Sequence, residues 1–212
     1  MSVVISKSLH CSFRHIYRSN WNVVTKLYRG PFLCIVLIFL LSINVRGWGT
    51  SGVNHKLIFE LNPRNHSSHL DIMETAMLLA VMWVVSLLLF LFADFLNFPA
   101  FYSHFILMIC YLVFFLNPTK TLKYGARQWM LRVILRCILA PLPFVVFADF
   151  WVADQFNSLA PALADFEYTV CFYRNNRTTL NNDWDLAIDP GICNEGGNWI
   201  RTLLITFPAF VR

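Results

Sequence analysis

Thr75-Ala-Met-Leu-Leu-Ala-Val-Met-Trp-Val-Val-Ser-Leu-Leu-Leu-Phe-Leu-Phe-Ala93 runs for nineteen residues without a charge. About 20 apolar residues in a helix span the hydrocarbon core of a bilayer, so this stretch reads as a transmembrane helix. A second run, Phe98 to Pro118, covers twenty-one residues with only His104 titratable, and it reads the same way. The composition agrees: 57% apolar residues, 20 Phe and a mean hydropathy of +0.54 exceed what an ordinary soluble domain carries.

Working outward, Pro31 to Val45 is shorter, and flanking Leu27, Tyr28 and Trp48 extend it to spanning length with aromatics at its ends. The alternative, a signal-peptide core, lacks a small-residue cleavage site at Val45-Arg46-Gly47-Trp48. Ala140 to Cys171 holds enough apolar residues for a fourth span, interrupted by Pro141, Pro143 and Pro161 and carrying Asp149, Asp154, Asn157 and Asp165. Broken helices with polar groups at mid-depth are characteristic of transporters. The expected fold is an all-α, polytopic transmembrane helical bundle.

Lys120, Lys123, Arg127, Arg132 and Arg136 lie between the second run and this broken span. The steps of four, five and four residues from Lys123 to Arg136 are read as one cationic helical face, with apolar residues on the other. This predicts an interfacial amphipathic helix on the cytoplasmic side, because positive loops stay inside. Counting spans from it puts Arg46 to His69 in the cytoplasm and the loop Tyr173 to Asn198 outside. Two features agree with an extracellular loop: the glycosylation sequon at Asn176, and Cys171 and Cys193 flanking the loop, where an oxidising compartment lets them pair. A second sequon at Asn65 falls on the cytoplasmic side and reads as a chance match. Cys11, Cys34, Cys110 and Cys137 show no metal-ligand spacing.

Residues 1–30 conflict with the count. Lys7, Arg14, Arg18, Lys26 and Arg29 belong inside by charge, yet the spans put them outside, so a further crossing is expected upstream. Trp199 to Phe210 begins another apolar run of about twelve residues, too short to cross. The chain therefore reads as a piece of a larger membrane protein.

A charge at bilayer depth costs roughly 2.5 to 3.5 kcal/mol on the insertion scale, so Asp154 and its neighbours direct attention to an aqueous path. On one continuous helix, Asp154, Asn157, Ser158, Pro161 and Asp165 fall within about 60° of one line and extend about 16 Å. The competing structural reading places Asp149 and Asp165 near the two interfaces and pairs Asp154 with a base on a neighbouring helix. His55, His66 and His69 lack the paired spacing of a metal site, and Asn62-Pro63 breaks any helix that would present them; a structural elbow is the expected role. No Gly-rich phosphate loop, Gly-x-Ser-x-Gly elbow or nucleic-acid motif occurs, so neither an enzyme nor a nucleic-acid partner is expected.

Arg29-Gly-Pro-Phe-Leu33, Gly52 to His66, Phe114-Phe-Leu-Asn-Pro-Thr-Lys-Thr121, Phe147 to Leu159 and Glu167 to Tyr173, in that order, resemble the SPX/EXS phosphate exporter family over about residues 28–212. The resemblance implies an exporter of inorganic phosphate in the plasma membrane, with no cofactor. It implies that Asp154 and Asn157 line the phosphate path, and that Cys171 and Cys193 form the family's loop disulfide. Where the family carries a serine three residues beyond the asparagine, this chain has Ala160. An aspartate alone does not hold an anion, so a cation must stand close by; Arg212 is the candidate on the last segment, which also carries Arg201. Residues 1–27 replace the family's SPX domain and first helix, 28–198 form the helical region, and 199–212 begin the EXS region. Membrane lipids, a second copy of the chain or a full-length family member are the expected further partners. The alternative to an exporter is a non-transporting membrane fragment that associates or competes with a full-length copy.

Overall fold

The computed structural model describes residues 21–62, 66–96, 100–121, 123–139 and 144–179, together with 202, 203 and 206. Among these residues every regular element is helical: α1 Trp21–Thr50, α2 His55–Ile58, α3 His69–Leu91, α4 Ala93–Leu96, α5 Ala100–Leu116, α6 Tyr124–Ile138, α7 Phe147–Ser158 and α8 Ala160–Thr179. α1 and α3 are long and apolar enough to cross a membrane, and the apolar part of α5, Tyr102–Leu116, is shorter.

Local chemistry sets the boundaries. α1 stops at a Gly52 held at φ +72°, where a side chain would be strained; the N–H of Val53 reaches back to the carbonyl of Trp48 at 2.9 Å and that of Gly52 to Gly49 at 3.4 Å. α3 begins at a reciprocal cap: Ser68 Oγ accepts from the Asp71 N–H at 3.2 Å while Asp71 Oδ2 accepts from the Ser68 N–H at 2.9 Å. That cap extends the helix upstream of the uncharged run. α5 ends at Asn117-Pro118, as expected from a proline that cannot continue the helix.

Two cores form. In the first, α1 packs against α3 and α8, and α3 against α5, burying Val23, Leu27, Leu79, Leu107 and Phe172 together. Polar groups there are joined across helices: Tyr28 Oη lies 3.0 Å from Ser86 Oγ and 3.2 Å from Ser103 Oγ, Trp83 Nε1 donates to the Tyr28 carbonyl at 3.0 Å, and Tyr111 Oη donates to the Leu79 carbonyl at 2.8 Å. In an apolar surrounding each such group needs a partner, and these bonds fix the register of one helix on the next. The second core gathers α6, α7 and the turn after α2 around Phe59, Val133, Cys137, Val152 and Ala153.

α6 forms where the amphipathic helix is expected, but its cations do not share one face: the five-residue step from Arg127 to Arg132 turns about 140°, Arg127 is buried, Arg136 turns to Asp149, and Arg132 is exposed beside the exposed Leu135 and Ile138. Arg127 donates to the carbonyls of Phe114 at 2.6 Å, Asn117 at 3.1 Å, Thr119 at 3.2 Å and Thr121 at 2.6 Å. A guanidinium fork here satisfies carbonyls that the end of α5 leaves open, where a cation is also favoured by the helix dipole. The expected loop after Tyr173 also differs, since α8 continues to Thr179 before the described residues end.

Candidate functional site

α7 starts from an extended Val146, whose N–H donates to Asp149 Oδ2 at 3.2 Å. Its buried face, Ala148, Val152 and Ala153, packs on Val133 and Cys137 of α6, and Cys137 Sγ donates to the Asp149 carbonyl at 3.2 Å. Arg136 Nε lies 2.9 Å from Asp149 Oδ1, close enough for strong attraction but not aligned as a hydrogen bond. Asp154 is half-buried, while Asn157 and Ser158 are exposed at the end of the helix.

The polar line expected to run from Asp154 to Asp165 is not continuous. The chain turns at Leu159, whose N–H bonds to the carbonyls of Gln155 at 3.0 Å and Phe156 at 3.1 Å, and a separate helix starts at Ala160. Pro161 has no N–H for the Asn157 carbonyl and its ring crowds that carbonyl, which accounts for the break. Asp154 and Asn157 therefore sit before the kink and Asp165 after it. Asp165, 5% exposed, accepts two bonds from Arg29 of α1, Nε to Oδ2 at 2.7 Å and Nη2 to Oδ1 at 2.8 Å. This two-pronged geometry is the strong form of a carboxylate–guanidinium pair. α8 approaches α1 closely beside this contact: a Cβ on Gly30 would lie 3.6 Å from the Ala162 carbonyl oxygen. Nearby, Lys26 Nζ stands 4.6 Å above the Tyr168 ring.

Asp149 and Asp165 are thus both paired with arginines from neighbouring helices, a partnership that the structural reading expects for Asp154 and not for these two. Arg212, Arg201 and Cys193 lie outside the described residues. Asn176 is in the last turns of α8, with its side chain outside the described set, and Cys171 is disulfide-bonded to a partner that also lies outside it. Cys34, Cys110 and Cys137 are free thiols. His55 and His66 do face each other, with ring centroids 5.3 Å apart; among the described residues they join no group of three metal-ligating side chains. Arg29 and Arg127 were not singled out by sequence reasoning. Arg29 was legible as one charge in a basic N-terminal stretch and as the start of a family-like motif, without a role, and Arg127 only as one of a row.

The profile of the EXS family matches residues 24–212. The chain belongs to the EXS family. It is 43% identical over 202 residues to Solute carrier family 53 member 1 of Cricetulus griseus and 42% identical over 204 residues to that of Homo sapiens, in each case covering 92% of this chain. It is also 42% identical over 194 residues to the Xenotropic and polytropic retrovirus receptor 1 homolog of Danio rerio, covering 91% of this chain. The chain spans 28% of the length of these relatives. Family membership and the apolar helices α1 and α3 together make it an integral membrane protein.

Proposed function

We propose that this chain forms part of a plasma-membrane exporter of inorganic phosphate, and that Asp154 and Asn157 line the phosphate path. The observation that carries the reading is the similarity of 42% to 43% to solute carriers across 92% of the chain. Three features support the assignment within it. α7 turns its apolar residues into the second core and leaves Asp154 and Asn157 toward its outer side. The helix is then broken by Pro161, the kind of discontinuity that lets backbone and side-chain polar groups face a path.

The third feature is Arg29. Its side chain is 47% exposed and spends Nε and Nη2 on Asp165, leaving Nη1 uncommitted among the described residues. A guanidinium held in place by a carboxylate and still presenting a donor suits a passing oxyanion, because it is oriented without being neutralised at every N–H. Arg29 thus joins Arg212 as a proposed cation for phosphate. Asp154 then acts on the anion through cations or as a hydrogen-bond partner for its protonated oxygen. On this reading Cys171 pairs with Cys193 and Asn176 is glycosylated.

The test is Asp154→Asn in the complete exporter, with phosphate efflux and surface biotinylation measured together. The expected result is an efflux reduced at least tenfold at unchanged surface level; normal efflux would remove Asp154 from the mechanism.

A further inference from the structure

A cavity of about 320 Å³, whose lining includes neither Asp154 nor Asn157, lies where the latter part of α1, the turn around α2, the start of α3, the end of α5 and the start of α6 converge, with Trp151 of α7 also at its edge. Its volume falls at the lower end of small-ligand sites, roughly 300 to 1,000 Å³. One wall is apolar, built by Ile38, Leu41, Ile72 and Phe115.

The same lining carries polar groups that lack partners among the described residues. His55 is 8% exposed, and neither of its ring nitrogens has a hydrogen-bond partner among the described residues. It is held in the lining by rings, with Trp48 at 5.9 Å and His66 at 5.3 Å between centroids. Arg127, also lining the cavity, uses Nη1 and Nη2 on the four carbonyls described above, and its Nε is buried without a partner. No carboxylate pairs with this guanidinium among the described residues. Buried polar groups are almost always satisfied, so two residues with such groups in the lining of one cavity point to something that completes them.

The charges select the ligand. Lys123, Arg127 and Arg132 line the cavity against Asp71 and Glu60, and Asp71 is already engaged by Lys123. The balance is positive, and the open donors want acceptor oxygens. A free inorganic anion would satisfy those donors but leave the apolar wall wet. A neutral alcohol would fill that wall and leave the cation without a counter-charge.

We propose that this cavity binds a single-chain anionic amphiphile, its phosphate or carboxylate head on Arg127 Nε and His55 and its chain along Ile38, Leu41, Ile72 and Phe115. Arg132, exposed on α6, adds long-range attraction for the head group. The site shares no lining residue with the proposed phosphate path and stands whether or not Asp154 takes part in efflux.

The experiment titrates the 212-residue chain, reconstituted in phosphatidylcholine nanodiscs, with dodecyl phosphate, dodecanol and inorganic phosphate. Binding is read as saturable change in tryptophan fluorescence, since Trp48 and Trp129 line the cavity, and stoichiometry by native mass spectrometry. Dodecyl phosphate is expected to bind once per chain and at least tenfold more tightly than dodecanol, with millimolar inorganic phosphate failing to displace it. His55→Phe and Arg132→Glu should each weaken that binding at least threefold. Arg132 is exposed, so its variant tests the site without threatening the fold. Equal affinity for dodecanol, ready displacement by inorganic phosphate, or unchanged binding in Arg132→Glu would each overturn the proposal.

Discussion

The two cores handle polar groups in opposite ways. Around α1, α3, α5 and α8 the buried hydroxyls and charges close on each other: Tyr28 with Ser86 and Ser103, Ser42 Oγ with the His69 carbonyl at 2.7 Å, and Arg29 with Asp165. His104 Nε2 is the exception there, although Nδ1 meets Tyr173 Oη at 2.8 Å. Around α6 and α7 the groups are left partly open, namely Arg127 Nε, both His55 nitrogens and the misaligned pair of Arg136 with Asp149. A closed network specifies one arrangement and holds it. An open one has spare capacity, which is what a region meeting ligands or changing shape requires. The difference teaches that the first core is chiefly scaffold, with Arg29 Nη1 at its exposed edge the open donor, and that chemistry should be sought where bonds remain to be made.

The largest blow to this contrast comes from Arg127, whose bonds belong to scaffold although it sits in the open region. Arg127→Met leaves four carbonyls without their donor, and unmade buried bonds cost about 1–3 kcal/mol each, with partial relief from water. The expected loss is about 3 kcal/mol or more in thermal unfolding of the reconstituted protein. A loss below about 1 kcal/mol would mean that the end of α5 is held by other means. Arg127→Lys should fall between, because one ammonium cannot reproduce the fork.

Asp165→Asn comes next. Breaking a buried pair costs about 3–5 kcal/mol, but Arg29 is 47% exposed and water screens what remains, so about 1–2 kcal/mol is expected. Arg29→Gln combined with Asp165→Asn should recover part of that loss, measured as the coupling in a double-mutant cycle. Strict additivity would show that the two residues act independently.

Gly30→Ala sharpens the picture at smaller scale. The added Cβ would meet Ala162 at ordinary van der Waals distance, 3.6 Å, and alanine is favoured over glycine in a helix by about 1 kcal/mol. The variant should be neutral or more stable by up to about 1 kcal/mol, whereas Gly30→Leu should separate α8 from α1 and lower the unfolding temperature. The smallest effect concerns His66. Burial, then the neighbouring Lys56 and His55, lower its pKa below the usual 6.5, so the folded chain holds fewer protons than the unfolded one just below that value. Stability from this group is present above pH 6.5 and declines as the pH falls through it. The unfolding temperature should drop less between pH 8 and 5.5 in His66→Asn than in the parent.

Much of the helical layout was legible because hydrophobic length survives without knowledge of neighbours. The runs Thr75 to Ala93 and Phe98 to Pro118 became α3 and α5, and the extension of Pro31 to Val45 by its flanking aromatics anticipated a helix that spans Trp21–Thr50. The Ser68 cap was visible as Ser-x-x-Asp, a local signal that hydropathy overlooked. What failed was inference about faces. A step of five residues turns about 140° around a helix, so Arg132 and Arg136 lie opposite Lys123 and Arg127, and which of them meets water depends on α5 and α7, through contacts that are non-local. The polar line through Asp154 and Asp165 failed for a different reason: it assumed one helix through Pro161, which the proline's own chemistry opposes. Asp154 and Asn157 were named from sequence, and the geometry adds Arg29, whose pairing across 136 residues no local pattern encodes.

That separation sets a timetable for biogenesis. A ribosome adding about 5–20 residues each second needs roughly 7–27 s to pass from Arg29 to a position 136 residues later. For that interval α1 carries a cation whose eventual partner has not been made, and its aliphatic stem keeps the charged end at a wet boundary. Final seating of α1 therefore waits on α8, and the membrane must hold an unfinished α1 in the meantime.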